Sequence, residues 1–324
     1  MKKLLSIIIP VYKAEKYIKD CLTSIFVQGL EEDDFEVILV NDGTPDDSFG
    51  VIDEIIQKHD NIIVINQSNQ GVSIARNVGL NKAIGEYVYF MDPDDILIDN
   101  GLPVLIKHLI GTHIDILMAD YIKFNECEVS EDVIHMVQDY SAVEKTGIEA
   151  FCEDLSPYEC YIWRLLINRD FLLYHKIDFK PFWYEDTLFC QECYLKAQHC
   201  IKTSFKLYYY RLRGGSFTSS MNLKKMLDLN SALAALWNLR DAGNAKIPIV
   251  EQKLRDNIFC SFSYGLWCIS HNKQLCANRK KIVADLKSKI SPKEFFFSAS
   301  AKQRVVSLFF RYIPNLYIKF RSIM

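Results

Sequence analysis

Short apolar runs alternate with amphipathic stretches through the first part of the chain. Leu5 to Val11 is almost unbroken apolar sequence, the mark of a strand buried on both faces. Ala14 to Gln28 follows with Tyr17, Ile18, Cys21, Leu22 and Ile25 at helical spacing. Phe35 to Val40 reads as a second strand, closed by Asn41-Asp42-Gly43. Asp47 to His59 places Val51, Ile52, Ile55 and Ile56 on one helix face. Ile62 to Ile65 is a third strand, Val72 to Ala83 a third helix, and Tyr87 to Met91 a fourth strand. This alternation predicts an α/β fold with a mostly parallel sheet and helices on both faces.

Beyond that point the pattern loosens. Ile114 to Phe124 reads as a further strand-pair region, and Glu126 to Glu144 as a polar surface excursion. Trp163 to Tyr174 looks helical, as does the stretch from Phe182-Trp183-Tyr184-Glu185-Asp186 through Cys200. Lys206 to Arg213 is strand-like and ends at Gly214-Gly215. After Met221 the spacing is helical, with breaks near Gly243, Pro248 and Pro292. Two regions are expected: an α/β domain over 1–220 and a helical region over 221–324.

Open α/β sheets bind ligands beyond the carboxyl ends of their strands. Tyr12, Asp42 and the cluster Asp92-Pro93-Asp94-Asp95 each follow a strand directly. Three carboxylates that close raise one another's pKa unless a cation neutralises them. Mg²⁺ and Mn²⁺ take oxygen ligands and bind through one or two carboxylates plus substrate phosphates. The cluster therefore points to a metal that holds a diphosphate; a solvated acidic turn is the plain alternative. The dinucleotide fingerprint G-x-G-x-x-G is absent after the first strand, where Pro10-Val11-Tyr12 stands instead.

Charge alters the picture at one end. The net charge of −3 disfavours nucleic acid as a partner. From Met221 onward there are 18 Lys and Arg against 6 Asp and Glu, leaving 20 against 35 for the first 220 residues. The segment Arg279 to Met324 is basic and ends in apolar, aromatic sequence around Leu308-Phe309-Phe310 and Tyr317-Ile318-Lys319-Phe320. Such a segment can lie on a cytoplasmic membrane surface, or pack as an ordinary helix. Ten scattered cysteines and no clear signal peptide lead us to expect reduced thiols and a cytoplasmic protein. Cys190-x-x-Cys193 lies at helical spacing inside an apolar pattern and lacks a second pair, which disfavours zinc.

Taken in order, the segments SIIIPVYKAEKYI, VILVNDGTPDDS, NQGVSIARNVGL, AIGEYVYFMDPDD, YIWRLLINRDFL, WYEDTLF and YYYRLRGGSFT resemble the family 2 glycosyltransferases of the GT-A fold. The later segments are similar to bacterial enzymes of capsule, exopolysaccharide and lipopolysaccharide synthesis. The resemblance implies transfer of a sugar from a UDP-sugar, with inversion, to a hydroxyl of a lipid-linked or oligosaccharide acceptor, aided by Mn²⁺ or Mg²⁺. It further implies Asp186 as catalytic base and Asp94 as metal ligand. Donor contacts are expected from Pro10, Tyr12, Asp42, Arg76, Asn77, Asp92, Arg211 and Arg213, and acceptor or sugar contacts from Trp163, Trp183 and Glu185.

These residue types suit those roles. A Tyr12 ring can stack on a base, and an Asp42 carboxylate can accept the imide N–H of uracil. Asp186 can take the proton that an alcohol loses late in displacement. Each also has a plain alternative: a core tyrosine, an Asx-turn with Gly43, a helix N-terminal acid. Trp163 and Trp183 are as well read as core residues, and Arg211 as an ion-pair partner. Two positions depart from the family pattern. Lys13 stands where asparagine is common, and Arg164 where lysine is often found. Two rivals remain open: a nucleotidyltransferase, for which the glycine-rich basic loop is missing, and a nucleotide-sugar-binding module without transferase activity.

Overall fold

A computed structural model describes residues 3–125, 139–156, 159–212, 221–241, 243–290 and six positions between 305 and 318. The chain divides into two compact units. The first holds 1–150, 161–181 and 197–214; the second holds 151–160, 182–196 and 215–324. The expected partition at residue 220 follows the chain, whereas compactness assigns 151–160 and 182–196 to the second unit.

The first unit begins as the apolar runs predict. Strands β1 (Leu5–Val11), β2 (Phe35–Asp42), β3 (Ile62–Gln67) and β4 (Tyr87–Phe90) are parallel, in the order β3-β2-β1-β4. Helices α1 (Ile18–Phe26), α2 (Asp53–Lys58) and α3 (Val72–Lys82) connect them. The amphipathic stretch before α2 is divided, since Gly50–Ile52 is a 3₁₀ turn. Every residue of β1 is buried, as expected for a strand covered on both sides. Gly79 lets α3 approach the sheet closely, because a Cβ there would collide with Ile8 Cγ2.

The sheet then becomes mixed. Strand β5 (Ile96–Leu97) and helix α4 (Gly101–Ile106) follow β4, then β6 (Ile116–Asn125), β7 (Ala142–Lys145), β8 (Leu165–Asn168) and β9 (Cys200–Leu212). Among the described residues the order is β3-β2-β1-β4-β8-β6-β9-β5, with β7 also on β9. β8 runs antiparallel between β4 and β6. This corrects the helical reading of Trp163 to Tyr174. Ile162–Arg164 is a 3₁₀ turn, β8 follows, and only α6 (Arg169–His175) is helical. Helix α5 (Gly147–Glu153) belongs to both units in sequence, ending in the second.

The link from β4 to β5 shapes the sheet around the acidic cluster. β5 lies four strand positions from β4, and neighbouring strands are about 4.8 Å apart. The link is only 91–95, and it turns on itself where Asp95 N–H donates to Asp92 O at 3.4 Å. A turn that short cannot cross a flat sheet, so the sheet curls and brings β9 to the end of β4.

The second unit is helical. It contains α7 (Glu185–Lys196), α8 (Leu223–Leu239), α9 (Pro248–His271), α10 (Lys273–Ala277) and α11 (Arg279–Lys289). α7 stops at Lys196, and Cys200 opens β9 instead of closing a helix. Asn222 and Asn272 cap α8 and α10 through side chains that accept from Lys225 N–H and Leu275 N–H. Among the described residues no helix is long and apolar enough to cross a membrane. Arg213 and most of the basic tail lie outside the described residues.

Candidate active site

Register places the first site residues side by side. Pro10 pairs with Val40 and Val11 with Asn41, so Tyr12 and Asp42 leave one sheet edge on adjacent strands. Pro10 is buried within β1. Tyr12 is 43% exposed, with Lys13 Nζ 5.4 Å from its ring centre, and it offers a face for stacking. Lys13 has φ 55°, and its N–H donates to the Thr44 hydroxyl at 2.8 Å. Asparagine tolerates that left-handed conformation better than lysine.

Asp42 ends β2 and is buried. Its Oδ1 accepts from Gln67 Nε2 at 2.7 Å and Gln70 N–H at 2.8 Å, and its Oδ2 from Gly71 N–H at 2.9 Å. Gly43 makes this closure possible, since it has φ 64° and a Cβ there would lie 2.8 Å from Asn69 N. A carboxylate has about four acceptor positions. Three are taken, and the remaining one can accept a ligand N–H.

The acidic turn is held from several directions. Arg76, buried in α3, donates from Nη2 to Asp92 Oδ1 at 2.9 Å. Asp92 N–H donates to the Tyr208 hydroxyl at 3.1 Å. Arg211 Nε donates to the Asp94 carbonyl at 2.8 Å, and Arg211 N–H donates to Asp95 Oδ1 at 2.7 Å. Arg211 is itself buried, over the rings of Tyr17 and Phe124, with Asp20 at 3.6 Å. Its guanidinium thus braces the loop that was expected to share with it the task of holding a diphosphate. Asp92 and Asp94 are half-buried and Asp95 is buried. Burial, together with Asp94 and Asp92, pushes the Asp95 carboxyl well above the usual range, against the lowering effect of the Arg211 N–H and the Tyr208 hydroxyl. Tyr208 is a neighbour of the acidic turn that the sequence pattern did not single out. It sits in the run Tyr208-Tyr209-Tyr210, and strand alternation tells which face it takes only once the register is known.

Two expected residues, Asn77 and Trp163, and the departing Arg164 make other contacts in the structure. Asn77 uses both ends of its amide on one backbone, donating to Phe179 O at 2.8 Å and accepting from Phe179 N–H at 2.9 Å. Trp163 is only 2% exposed and stacks with Tyr161, Tyr208 and Tyr210 at 4.7, 4.3 and 5.4 Å. It supports Tyr208 from behind and presents no face to a sugar. Arg164 forms a bracket, donating to Ala119 O and Asp120 Oδ1, and it lies over Tyr121. That combination of planar stacking and forked donation needs arginine rather than lysine.

The remaining candidates belong to the second unit. Glu185 and Asp186 occupy the first turn of α7, where the helix dipole favours acids, and both are half-buried. Trp183, also half-buried, lies against Tyr184 at 4.9 Å and under Lys225 Nζ at 5.9 Å. Tyr184 has φ 83°. For a bulky residue this left-handed conformation costs roughly 1–3 kcal/mol, and such strain concentrates at functional sites.

A divalent cation fits the acidic turn in one particular way. Among the described residues no preformed cluster of three ligating side chains exists. However, Asp95 Oδ2 is buried with no hydrogen-bond partner, beside two further carboxylates. Excess negative charge with few protein ligands suits a metal that takes the rest of its oxygens from a diphosphate.

Comparison with known proteins supplies context for this geometry. A family model described as glycosyl transferase family 2 matches residues 6–166. Glycosyltransferase GlyA of Streptococcus pneumoniae is 32% identical over 238 residues, covering 71% of this chain and 34% of GlyA. Poly(ribitol-phosphate) beta-N-acetylglucosaminyltransferase TarS of Staphylococcus aureus is 30% identical over 218 residues, covering 66% of this chain and 37% of TarS. The chain therefore spans about a third of the length of each. The crystal structure of TarS 1–349 with UDP-GlcNAc superposes with a TM-score of 0.76 at 22% identity, covering 99% of this chain and 90% of that one. The mannosyltransferase PcManGT of Pyrobaculum calidifontis, solved with GDP-Man and Mn²⁺, gives a TM-score of 0.57 at 15% identity, covering 98% of this chain and 88% of that one.

Proposed function

The chain belongs to the family 2 glycosyltransferases and has their GT-A fold, and from that premise we propose that it transfers a sugar, with inversion and with help from a divalent cation, from a UDP-sugar to the hydroxyl of a surface-glycan acceptor. The observation that carries this reading is the shared sheet edge: an exposed Tyr12, a nearly saturated Asp42 and a braced Asp92–Asp95 turn at the ends of three neighbouring strands. The TarS complex with UDP-GlcNAc, on the same fold, favours uridine as the base.

In this reading the Tyr12 ring stacks on uracil and the last free position of Asp42 accepts the imide N–H. Cytosine has no N–H at that ring position, so Asp42 selects uridine. Asp92, oriented by Arg76, contacts the ribose. Asp94 would hold the cation, and Asp95 supports it from below. When bound, that cation would neutralise charge on the leaving diphosphate. The acceptor oxygen attacks the anomeric carbon as the bond from that carbon to the diphosphate oxygen breaks. Asp186 takes the proton lost by the acceptor hydroxyl, and UDP departs with the bonding electron pair. Asn77 and Trp163 are positioning residues in this scheme, while Arg211 holds the acidic turn.

The basic, aromatic segment after Pro292 favours an acceptor at a membrane surface, such as a lipid-linked glycan. Truncation after Pro292 then reduces liposome binding, and unchanged binding would remove this part. The reaction is tested by UDP release from a panel containing UDP-GlcNAc, UDP-glucose and UDP-galactose, with Mn²⁺ or with EDTA. Metal-dependent release from at least one donor is expected. Absence of both UDP binding and release would overturn the reading.

A further inference from the structure

The second unit carries a row of aromatic rings that the transferase scheme leaves without a task. Tyr264, Trp267 and His271 fall at helical spacing on one face of α9. Tyr264 stacks with Trp267 at 6.4 Å and 17°, and Trp267 with His271 at 4.8 Å and 23°. At the other end Tyr264 stacks with Tyr184 at 6.4 Å and 23°. The opposite face of the helix holds its core residues, since Ile258, Phe262, Leu266 and Ile269 are buried. The row runs outward instead. Tyr184 and Tyr264 are half-buried, His271 is exposed, and Trp267 is 50% exposed.

We propose that this row is an acceptor-binding track, on which successive sugar rings of an uncharged stretch of glycan lie before the terminal hydroxyl reaches Asp186. This rests on the transferase reading, in which Asp186 is the base. Three observations carry it. First, Trp267 and His271 are exposed rings in line with half-buried Tyr264 and Tyr184, and the parts of such offset rings left uncovered can pack against pyranoses, each with an apolar C–H face and a rim of hydroxyls. Burying such faces on exposed aromatics is favourable, while the rims stay hydrated. Secondly, the track ends at the residue that precedes Glu185 and Asp186, and that residue is the strained Tyr184. Thirdly, no Lys, Arg, Asp or Glu occurs between Asn257 and Ser270. An anionic lipid surface would call for cations among the aromatics, and a nucleotide would call for a phosphate-binding group. A neutral glycan needs neither.

The test uses the full chain and three probes: chitohexaose, cellohexaose and maltohexaose, each titrated against its own monosaccharide by calorimetry and saturation-transfer NMR. At least one hexamer should bind about tenfold more tightly than its monosaccharide. The Tyr264→Ala/Trp267→Ala double variant should lose about tenfold in that affinity, and Trp267→Phe should retain most of it. Tyr174→Ala removes a ring that is 82% exposed in the first unit and should bind as wild type does. Thermal unfolding of each variant separates lost binding from lost folding. Hexamers that bind no better than monosaccharides, or a folded double variant that binds like wild type, would overturn the track. So would aromatic-dependent binding to phosphatidylglycerol vesicles without glycan binding, which would assign the row to a membrane. UDP binding to the wild-type chain is measured in parallel. Its absence sinks the transferase reading while leaving the glycan result standing, and glycan failure with UDP binding intact sinks the track alone.

Discussion

The acidic turn at Asp92–Asp95 and the acidic pair Glu185–Asp186 sit in different surroundings. The turn is held by Arg76, Tyr208 and Arg211 through contacts to both side chains and backbone. The pair sits at a helix start, behind a tyrosine in a strained conformation and beside partly exposed aromatics. Preorganisation suits a group that must meet a small, constant diphosphate, because its dipoles need no rearrangement during reaction. A helix start among aromatic rings suits a group that must meet a larger substrate, whose position those rings set. On this reading chemistry is concentrated in the pair and donor binding in the turn.

The sharpest way to break that division is to neutralise each acid separately. Asp186→Asn should lower kcat by about 10²–10⁴-fold, the usual contribution of a general base, with UDP affinity unchanged within about twofold. Asp94→Ala should instead weaken UDP binding in the presence of Mn²⁺ and leave metal-free UDP binding nearly as it was. Calorimetry with UDP, with and without the metal, reads both. Equal effects of the two variants on UDP affinity would dissolve the distinction.

Bracing is tested next. Arg76 is buried against Asp92, and removing one partner of a buried pair typically costs about 3–5 kcal/mol. Arg76→Ala should therefore lower the unfolding free energy on that order and reduce UDP affinity as well. Tyr208→Phe is subtler. It keeps the stack on Trp163 and removes the hydroxyl that accepts from Asp92 N–H and donates to the Asp95 carboxyl. A loss of about 1–3 kcal/mol is expected for the unsatisfied buried donor, with the Mn²⁺ requirement shifted to higher concentration. A normal metal titration in a destabilised variant would make Tyr208 a core residue and nothing more.

Much of this was legible in the residues. Strands β1 to β4 announce themselves as apolar runs, and the carboxylates at their ends are visible as Asp42 closing β2 and Asp92, Asp94 and Asp95 following β4. Strand β8 was hidden for a physical reason. It is four residues long and passes without a loop into α6, so its apolar positions merge with helical spacing. Strand β5, with two residues, has no pattern to detect. The burial of Trp163 was undetermined because a platform and a core tryptophan have the same sequence signature. Asn77 and Arg211 carry contacts of another kind. Their polar groups satisfy backbone atoms 102 and 117 residues away, and no local pattern encodes such a partner.

Asp95 offers a smaller effect with a definite sign. Its folded-state pKa is raised, chiefly by burial. In metal-free protein its contribution to stability is full below the ordinary carboxylate range, near 4, and is lost as pH rises through the folded value. Asp95→Asn retains an oxygen that can accept from Arg211 N–H and removes that titration. The melting temperature of the variant relative to wild type, measured in EDTA, should rise as pH is raised above the ordinary carboxylate range, near 4, by an amount on the order of a few °C. A difference independent of pH would mean that Asp95 is not held protonated.

The smallest expected effect isolates backbone strain from chemistry. Lys13 adopts φ 55° between an exposed Tyr12 and the Thr44 hydroxyl that accepts from its N–H. The left-handed conformation costs a non-glycine residue roughly 1–2 kcal/mol, and asparagine relieves part of that. Lys13→Asn should therefore stabilise the first unit by a few tenths to about 1 kcal/mol. Loss of the ammonium near the Tyr12 ring acts on ligand binding instead, since that ring is the proposed base platform. Chemical denaturation and UDP calorimetry separate the two terms. Higher stability with weaker UDP binding would show that lysine is kept here for the nucleotide at the expense of the loop, whereas higher stability with unchanged binding would make it a strain with no ligand in return.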